Sequence, residues 1–182
     1  MKKKILIGLG IVGILAVAAF IFVSQGAKKS PRETTSFKHD GLDITVAYGR
    51  PFKRGRLIFG QEEDKALQPY GKYWRMGANA VTAITFSKNV NFGGKPVNAG
   101  SYRMYAIPGA TVWQIGLNSE YDVYFGATEP DYSKDIAKIE VPAETTDKET
   151  DQFTISFQTD SAAVSMNLMW DKVLVKVPIT IQ

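Results

Sequence analysis

The sequence predicts an all-β fold, an antiparallel β-sandwich or jelly roll of about nine or ten strands, preceded by one N-terminal transmembrane or signal helix. Apolar side chains recur at every second position beyond Lys38, which is typical of strands that present one face to a core. Turn-forming residues interrupt these runs at intervals of about 8–12 residues. No stretch beyond the N-terminal run carries a helical stripe of apolar residues. These observations assign residues 40–182 to the β-sandwich domain.

Residues 1–24 are predicted to form a signal anchor or a signal-peptide helix. An uncharged run begins at Ile5 and ends at Val23, which is long enough to cross a hydrocarbon core of about 30 Å as a helix. A cleaved signal normally has an apolar core of about 7–15 residues, so the run favours a retained anchor. Small residues in VSQGA keep cleavage and secretion as the alternative. The lysine triplet before the run predicts a domain on the periplasmic or outer side of a membrane.

The predicted strands follow a polar spacer at residues 25–39 and cover most of the remaining chain. Their alternation assigns faces: in TVWQIGLN, for example, Trp113, Ile115 and Leu117 share one side. The last run, KVLVKVPITI, alternates strictly. The predicted strands are LDITVAY, TAITF, SYRMYAI, TVWQIGLN, AKIEV, FTISF, VSMNLMW and KVLVKVPITI.

The net charge of +4 does not predict a nucleic-acid-binding surface. Five lysines lie before position 30, and the rest of the chain holds 17 basic against 18 acidic residues. Charge is nevertheless uneven, because residues 32–103 hold twelve basic and six acidic side chains, whereas residues 120–151 hold three and ten. Solvated loops explain this pattern, and a two-signed surface that orients a partner is the alternative. We therefore expect no nucleic-acid partner.

Composition argues against most metal and cofactor chemistry. The chain has no cysteine, and His39 is its only histidine, so a zinc site lacks its usual ligands and a Ser-His-Asp triad would depend on His39. Gly8, Gly10 and Gly13 match the dinucleotide-binding pattern G-x-G-x-x-G, but they lie inside the apolar run, without the strand and amphipathic helix that the pattern requires. The sequence therefore predicts no cofactor and no metal, and it names no catalytic residue.

Two glycine-punctuated segments, YGRPFKRGRLIFG and PYGKYWRMGANAVTAITFS, hold the candidate site residues. Pro51 places part of the first segment outside a central strand, in a loop or at an edge. Aromatic rings beside polar side-chain tips are typical of a site for a sugar or another small polar ligand. They are also typical of a sandwich corner, where polar side chains satisfy loop carbonyls, and the pattern favours this structural interpretation. The candidate residues are Arg50, Arg56, Tyr70, Trp74, Arg75 and Asn79.

Four segments in this order resemble the bacterial domain of unknown function 2911, which is common in Bacteroidota: YGRPFKRGRLIFG, PYGKYWRMGANAVTAITFS, GKPVNAGSYRMYAIPG and WQIGLN. The resemblance covers approximately residues 40–182. It implies a β-rich protein of the cell envelope, often with a signal sequence, and it implies no activity and no catalytic residue. The family's recurring polar positions are matched by Arg50, Arg56, Trp74, Arg75 and Asn79.

The functional hypothesis is a membrane-anchored or exported binding module of the bacterial cell envelope. Its partners would be the membrane, through the N-terminal helix, and a glycan or an envelope protein. One alternative is a carboxylate-dependent envelope hydrolase, although most carboxylates lie in polar, loop-like runs where a raised pKa is not expected. The other alternative is an accessory subunit of a membrane complex. The sequence favours a protein without enzymatic activity over an enzyme.

Overall fold

The computed structural model describes residues 30–123, 126–160 and 163–182, and these form an all-β domain. Nine strands make one antiparallel sheet, as the alternation predicts. In these three ranges the only helical element is a single 3-10 turn, Tyr132–Lys134, and no helix is long and apolar enough to span a membrane. The predicted N-terminal helix at residues 1–24 lies outside the described residues. The all-β, antiparallel prediction is therefore confirmed for the described part of the chain.

The sheet has the order β1-β2-β5-β8-β9-β10-β11-β6-β7. Two further short strands, β3 and β4, form a separate parallel pair in the connection between β2 and β5. The strands are β1 (Arg32–His39), β2 (Leu42–Gly49), β3 (Phe59–Gly60), β4 (Gln68–Pro69), β5 (Thr82–Phe86), β6 (Val90–Phe92), β7 (Lys95–Val97), β8 (Gly100–Ile107), β9 (Val112–Asn118), β10 (Asp135–Asp160) and β11 (Ala163–Ile181).

Strand β10 makes the arrangement sandwich-like, because its two halves belong to different parts of the sheet. Its first half pairs with β9, and its second half pairs with β11. The register with β11 shifts twice between Thr145 and Thr154, and such bulges bend a strand. The second half of β10 consequently packs against β1 and β2. Tyr48 Oη accepts a hydrogen bond of 2.9 Å from the Ile155 amide, across the core.

The predicted strands AKIEV and FTISF are both parts of β10, and VSMNLMW and KVLVKVPITI are both parts of β11. The prediction of four separate strands is therefore wrong at these two places. The connecting residues are polar because the strand is largely exposed there, rather than because the chain turns. In β11 the interruption is local, at Asp171, whose φ of 57° lies in the left-handed region. Polarity alone does not distinguish a protruding strand from a loop.

The predicted spacer at residues 25–39 is wrong from Arg32 onward, because these residues form edge strand β1. All eight residues of β1 pair with β2, from Arg32 opposite Gly49 to His39 opposite Leu42. No side chain of β1 is fully buried, which explains its polar sequence. The ring of Phe37 stacks on Phe157 of β10 at 5.5 Å and attaches this edge to the other half of the molecule.

Five aromatic rings meet at the centre of the domain, and we call them the aromatic cluster: Phe59, Trp74, Trp113, Phe153 and Trp170. They come from β3, the segment before β5, β9, β10 and β11 respectively, and all five are buried. Ring centroids lie 4.8 Å apart for Phe59 and Trp113 and 4.9 Å apart for Trp74 and Phe153. Tilted and edge-on pairs of this kind each contribute about 0.5–1.5 kcal/mol beyond burial. The cluster therefore joins both halves of the sheet to the connection between β2 and β5.

The backbone of that connection lies unusually close to the end of β2. A Cβ atom added to Gly49 would lie 2.2 Å from the carbonyl oxygen of Ala78. A Cβ atom added to Gly77 would lie 2.7 Å from the carbonyl oxygen of Gly49. Two glycines are therefore required for the two backbone segments to approach each other here.

We predict that Gly49→Ala lowers the free energy of unfolding by about 3 kcal/mol or more, because the new methyl group meets backbone that cannot rotate away. Urea unfolding followed by tryptophan fluorescence measures the change. Gly71→Ala is the matched control: its φ of 74° is strained for alanine, but its Cβ would meet open space, so a loss of only about 1 kcal/mol is expected. Equal losses in the two variants would contradict the close approach.

Candidate functional site

A cleft of about 520 Å³ opens above the aromatic cluster, and Trp74 and Trp170 form part of its lining. We call it the arginine cleft, because three arginines line it and none of its described lining residues is Asp or Glu. Its volume lies within the range of roughly 300–1,000 Å³ that is usual for small-ligand sites. The polar side chains in the lining include Arg54, Arg56, Gln68, Tyr73, Arg75 and Asn79.

The structure brings together four of the six predicted site residues. Arg56, Trp74, Arg75 and Asn79 line the arginine cleft, whereas Arg50 and Tyr70 are not among its lining residues. Their membership in one cleft supports the binding interpretation, and their contacts also show structural roles. The binding interpretation therefore fits some of the six residues, and the structural interpretation fits others.

Trp74 faces the core and Arg75 faces the cleft because the chain is extended at this point. Trp74 exchanges two backbone hydrogen bonds with Ala106 of β8, at 2.8 and 2.9 Å. In extended chain, neighbouring side chains point to opposite faces. Trp74 and Met76 are accordingly buried, with 2% and 0% of their surface exposed, and Arg75 between them lies in the cleft wall.

The turn after Arg75 holds its guanidinium in place. Met76 and Asn79 both have left-handed φ angles, of 52° and 65°, so the chain reverses within a few residues. Arg75 Nη1 donates a hydrogen bond of 3.3 Å to the Asn79 carbonyl. Burial, together with the nearby positive charge of Arg103, lowers the pKa of Arg75, although the nearby Tyr73 partly opposes this effect. An anion in the cleft would therefore stabilise the protonated guanidinium.

Arg56 belongs to a loop that is fixed to β10 and β11. Its Nε donates to the Lys53 carbonyl at 3.0 Å, and its Nη2 donates to the Phe52 carbonyl at 2.5 Å. Lys53 Nζ pairs with Asp171 at 2.6 Å and with Glu149 at 2.9 Å. The hydrogen bonds to Asp171 and then Glu149 raise the pKa of Lys53. The loop thus presents Arg56 in a defined orientation.

Arg50 is a structural residue that connects β1, β2 and β10. Its Nη1 pairs with Glu33 of β1, its Nε donates to the Phe153 carbonyl at 3.1 Å, and its Nη2 donates to Thr154 Oγ1 at 2.8 Å. The contacts of Arg50 are of the kind that the corner interpretation expects.

Tyr70 also has a structural role. It is partly buried against the core, and its amide donates a 2.9 Å hydrogen bond to the Gly60 carbonyl. The turn that it begins continues with Gly71, whose amide donates to Pro108 at 2.8 Å. Tyr70 thus fixes the end of the short β3–β4 pair.

Arg54, Gln68 and Tyr73 line the cleft and were not among the sequence candidates. Tyr73 Oη accepts a 2.5 Å hydrogen bond from Arg103 Nη2 and donates to the Gly126 carbonyl at 3.0 Å. Arg103 is only 2% exposed, and its Nε has no hydrogen-bond partner among the described residues. The signal for Arg103 was a charged residue inside the apolar run SYRMYAI. No local feature of the sequence marks Arg54 or Gln68 as a residue of the cleft lining.

The described carboxylates lie outside the lining of the arginine cleft. Asp135, for example, accepts hydrogen bonds from Tyr105 Oη at 2.6 Å and from Asn118 Nδ2 at 2.8 Å, so it is fully engaged in a structural network. Within residues 30–123, 126–160 and 163–182, no group of three or more histidine or acidic side chains is placed to hold a metal ion.

Several tyrosines around the core and the site are fully or partly shielded from solvent. Burial raises the pKa of Tyr48, Tyr102, Tyr105 and Tyr132 above the ordinary value of 10.0. For Tyr105 the hydrogen bond to Asp135 acts in the same direction, because a phenolate beside a carboxylate is unfavourable.

We predict that Arg50→Lys destabilises the domain by about 2 kcal/mol, since lysine cannot make the three directed hydrogen bonds to β1 and β10. Urea unfolding at neutral pH measures the loss. The control is Arg54→Lys, four residues further on and exposed, which should leave the unfolding midpoint unchanged. A midpoint for Arg50→Lys equal to that of the native chain would show that the connection is not needed.

We further predict that the domain loses stability as the pH rises past 10. The unfolded chain releases its tyrosine protons near pH 10, whereas the folded chain retains them, so deprotonation favours unfolding. Lys53, whose pKa is also raised, adds to the same trend. Tyr105→Phe should make the decline with pH shallower in urea titrations between pH 8 and about 11. Parallel curves for the two proteins would contradict the assignment to Tyr105.

Comparison with known proteins identifies the family of the chain. The sequence profile of a family described as "Protein of unknown function (DUF2911)" matches residues 30–179, somewhat further toward the amino terminus than the resemblance at residues 40–182 implied. No curated protein and no solved structure matches the chain significantly. Because the match covers most of the chain and includes the whole arginine cleft, the chain belongs to the DUF2911 family of proteins of unknown function.

Proposed function

We propose that the domain is a binding module of the cell envelope, and that its arginine cleft binds a ligand with carboxylate or phosphate groups. One observation carries the proposal: Arg54, Arg56 and Arg75 line a single cleft that has no described acidic lining residue. The planar guanidinium group suits carboxylate and phosphate oxygens, because two of its N–H groups can donate in parallel.

The arrangement of the cleft reduces the side-chain entropy that is lost when a ligand binds. Arg56 and Arg75 are already oriented by hydrogen bonds to backbone carbonyls, so less side-chain freedom is lost when a ligand binds. Asn79 and Gln68 add amide groups for hydroxyl or carbonyl oxygens, and Tyr73 adds aromatic surface. These groups fit an acidic, partly hydroxylated molecule better than a neutral apolar one.

The location in the envelope rests on the sequence. The uncharged run at residues 5–23 and the lysine triplet before it support an exported or anchored domain. The hydrolase alternative has less support, because it requires carboxylates at the cleft. The described carboxylates lie outside the lining. No described feature favours an accessory subunit of a membrane complex.

Binding is testable through the tryptophans of the cleft. We expect citrate and tripolyphosphate to change the fluorescence of Trp74 and Trp170 in a saturable manner, and we expect glucose to have no such effect. Arg75→Gln removes a charged donor and should weaken anion binding by roughly 10- to 100-fold, since hydrogen bonds to charged groups contribute about 1.5–3 kcal/mol.

The matched control is Lys95→Gln, which removes one positive charge from β7, outside the cleft. It should leave the affinity within about twofold of the native value, because exposed charges further apart than a Debye length of about 10 Å are screened. Equal affinity in Arg75→Gln and in the native chain, or an equal response to glucose and to the anions, would refute the proposal.

A further inference from the structure

The arginine cleft lies where the chain enters the domain. Ser30, the first described residue, lines the arginine cleft and also a second cleft of about 390 Å³. Ala78 and Asn79 are shared by the two clefts as well. The two clefts are therefore neighbours on one end of the molecule, and we call this end the entry face.

The second cleft is more apolar than the first. Its lining includes Ala80, Val81, Ala83, Tyr121 and Val123, together with one charged residue of each sign, Arg32 and Asp122. Tyr121 and Val123 are 48% and 38% exposed, which is high for apolar side chains of this size. The entry face thus combines guanidinium groups with exposed apolar side chains, as surfaces that contact lipid headgroups do.

The length of the preceding chain places this face close to a membrane. The sequence predicts residues 5–23 as a membrane anchor, and six residues separate this run from Ser30. An extended chain spans at most about 3.6 Å per residue, so Ser30 lies within roughly 25 Å of the end of the anchor. Whatever the path of these residues, the entry face stays near the headgroup layer.

Charge distinguishes between the occupants that could cover the entry face. The residues that precede Ser30 include Lys28 and Lys29. The three arginines of the cleft carry the same positive charge and would repel them. An anionic lipid surface complements all five positive charges. Each basic side chain near such a surface strengthens binding by about fivefold.

We infer that the entry face docks on anionic phospholipid, with lipid phosphates in the arginine cleft and with Tyr121 and Val123 at the interface. This inference rests on the proposed function, because it identifies the headgroup phosphate as the anion of the arginine cleft. It adds a source for that anion and an orientation for the domain, with β1 and the turn at residues 76–79 beside the membrane.

The absence of cysteine makes a direct test practical. The variants Tyr121→Cys and Val123→Cys each provide a single thiol for a polarity-sensitive fluorophore, and Lys95→Cys on β7 provides a control position outside both clefts. The full chain is reconstituted in nanodiscs of phosphatidylglycerol or of phosphatidylcholine. We expect a blue shift and an intensity increase at positions 121 and 123 in phosphatidylglycerol only, and no lipid-dependent change at position 95.

Two further experiments test whether the lipid-dependent fluorescence shift requires the arginines of the cleft. Replacement of Arg54, Arg56 and Arg75 by Gln should weaken surface binding by on the order of 100-fold and abolish the lipid-dependent shift. Replacement of Lys95, Lys148 and Lys172 by Gln removes the same charge and should preserve it. Salt at about 1 M, where the Debye length is about 3 Å, should reverse the shift in the native chain, which tests the inference without any arginine replacement.

The outcomes separate the two proposals. Equal spectra in the two lipids would overturn docking, and citrate or tripolyphosphate binding would then still support the arginine cleft as an anion site. A lipid-dependent shift that survives both the arginine replacements and high salt would also overturn the inference, because contact would not depend on the cleft. Failure of both soluble anions and phosphatidylglycerol would refute both proposals.

Discussion

Contact among the five rings of the aromatic cluster is the interaction on which the rest of the structure depends. Antiparallel pairing fixes neighbouring strands in the sheet, but it does not determine where the long connection between β2 and β5 lies. Phe59 and Trp74 place that connection, because their rings pack against Trp113, Phe153 and Trp170 of three different strands. Without this contact the connection would be a long surface loop, which compact domains rarely contain without a functional reason.

The same contact creates the cleft. Trp74 is directed inward as part of an extended segment, so Arg75 is directed outward at the point where the ring stack ends. The close backbone approach at Gly49 and Gly77 then brings the following turn against the end of β2. The floor of the site is therefore part of the hydrophobic core, and the charged groups lie on it. A ligand in the cleft would contact a rigid surface, which favours directed recognition of oxyanions over loose electrostatic attraction.

Some of the basic residues around this site form ion pairs within the fold, and others line the cleft. Arg50 and Lys53 are used internally, since Glu33, Glu149 and Asp171 pair with them. Arg54, Arg56 and Arg75 lie in the cleft, whose described lining holds no acidic residue, and Asp122 lines the neighbouring cleft. Burial of its guanidinium lowers the pKa of Arg75, and the nearby positive charge of Arg103 acts in the same direction. Under the proposed function, an anion in the cleft would offset this cost.

The sequence by itself determined the fold class, the faces of most strands and the two segments that carry the site, because periods of two, turn residues and aromatic content are local properties of the chain. Only the tertiary structure decided which arginines connect strands and which line the cleft. Arg50 and Arg54 are four residues apart in the same basic segment, and one connects three strands while the other lines a cleft. The edge strand β1 and the middle of β10 were also beyond the pattern, because a strand with no fully buried face is as polar as a loop. The continuity of β11 was beyond it as well, because the left-handed residue Asp171 interrupts the alternation without ending the strand. A side chain's neighbours from positions about a hundred residues away are fixed by packing, which local sequence does not encode.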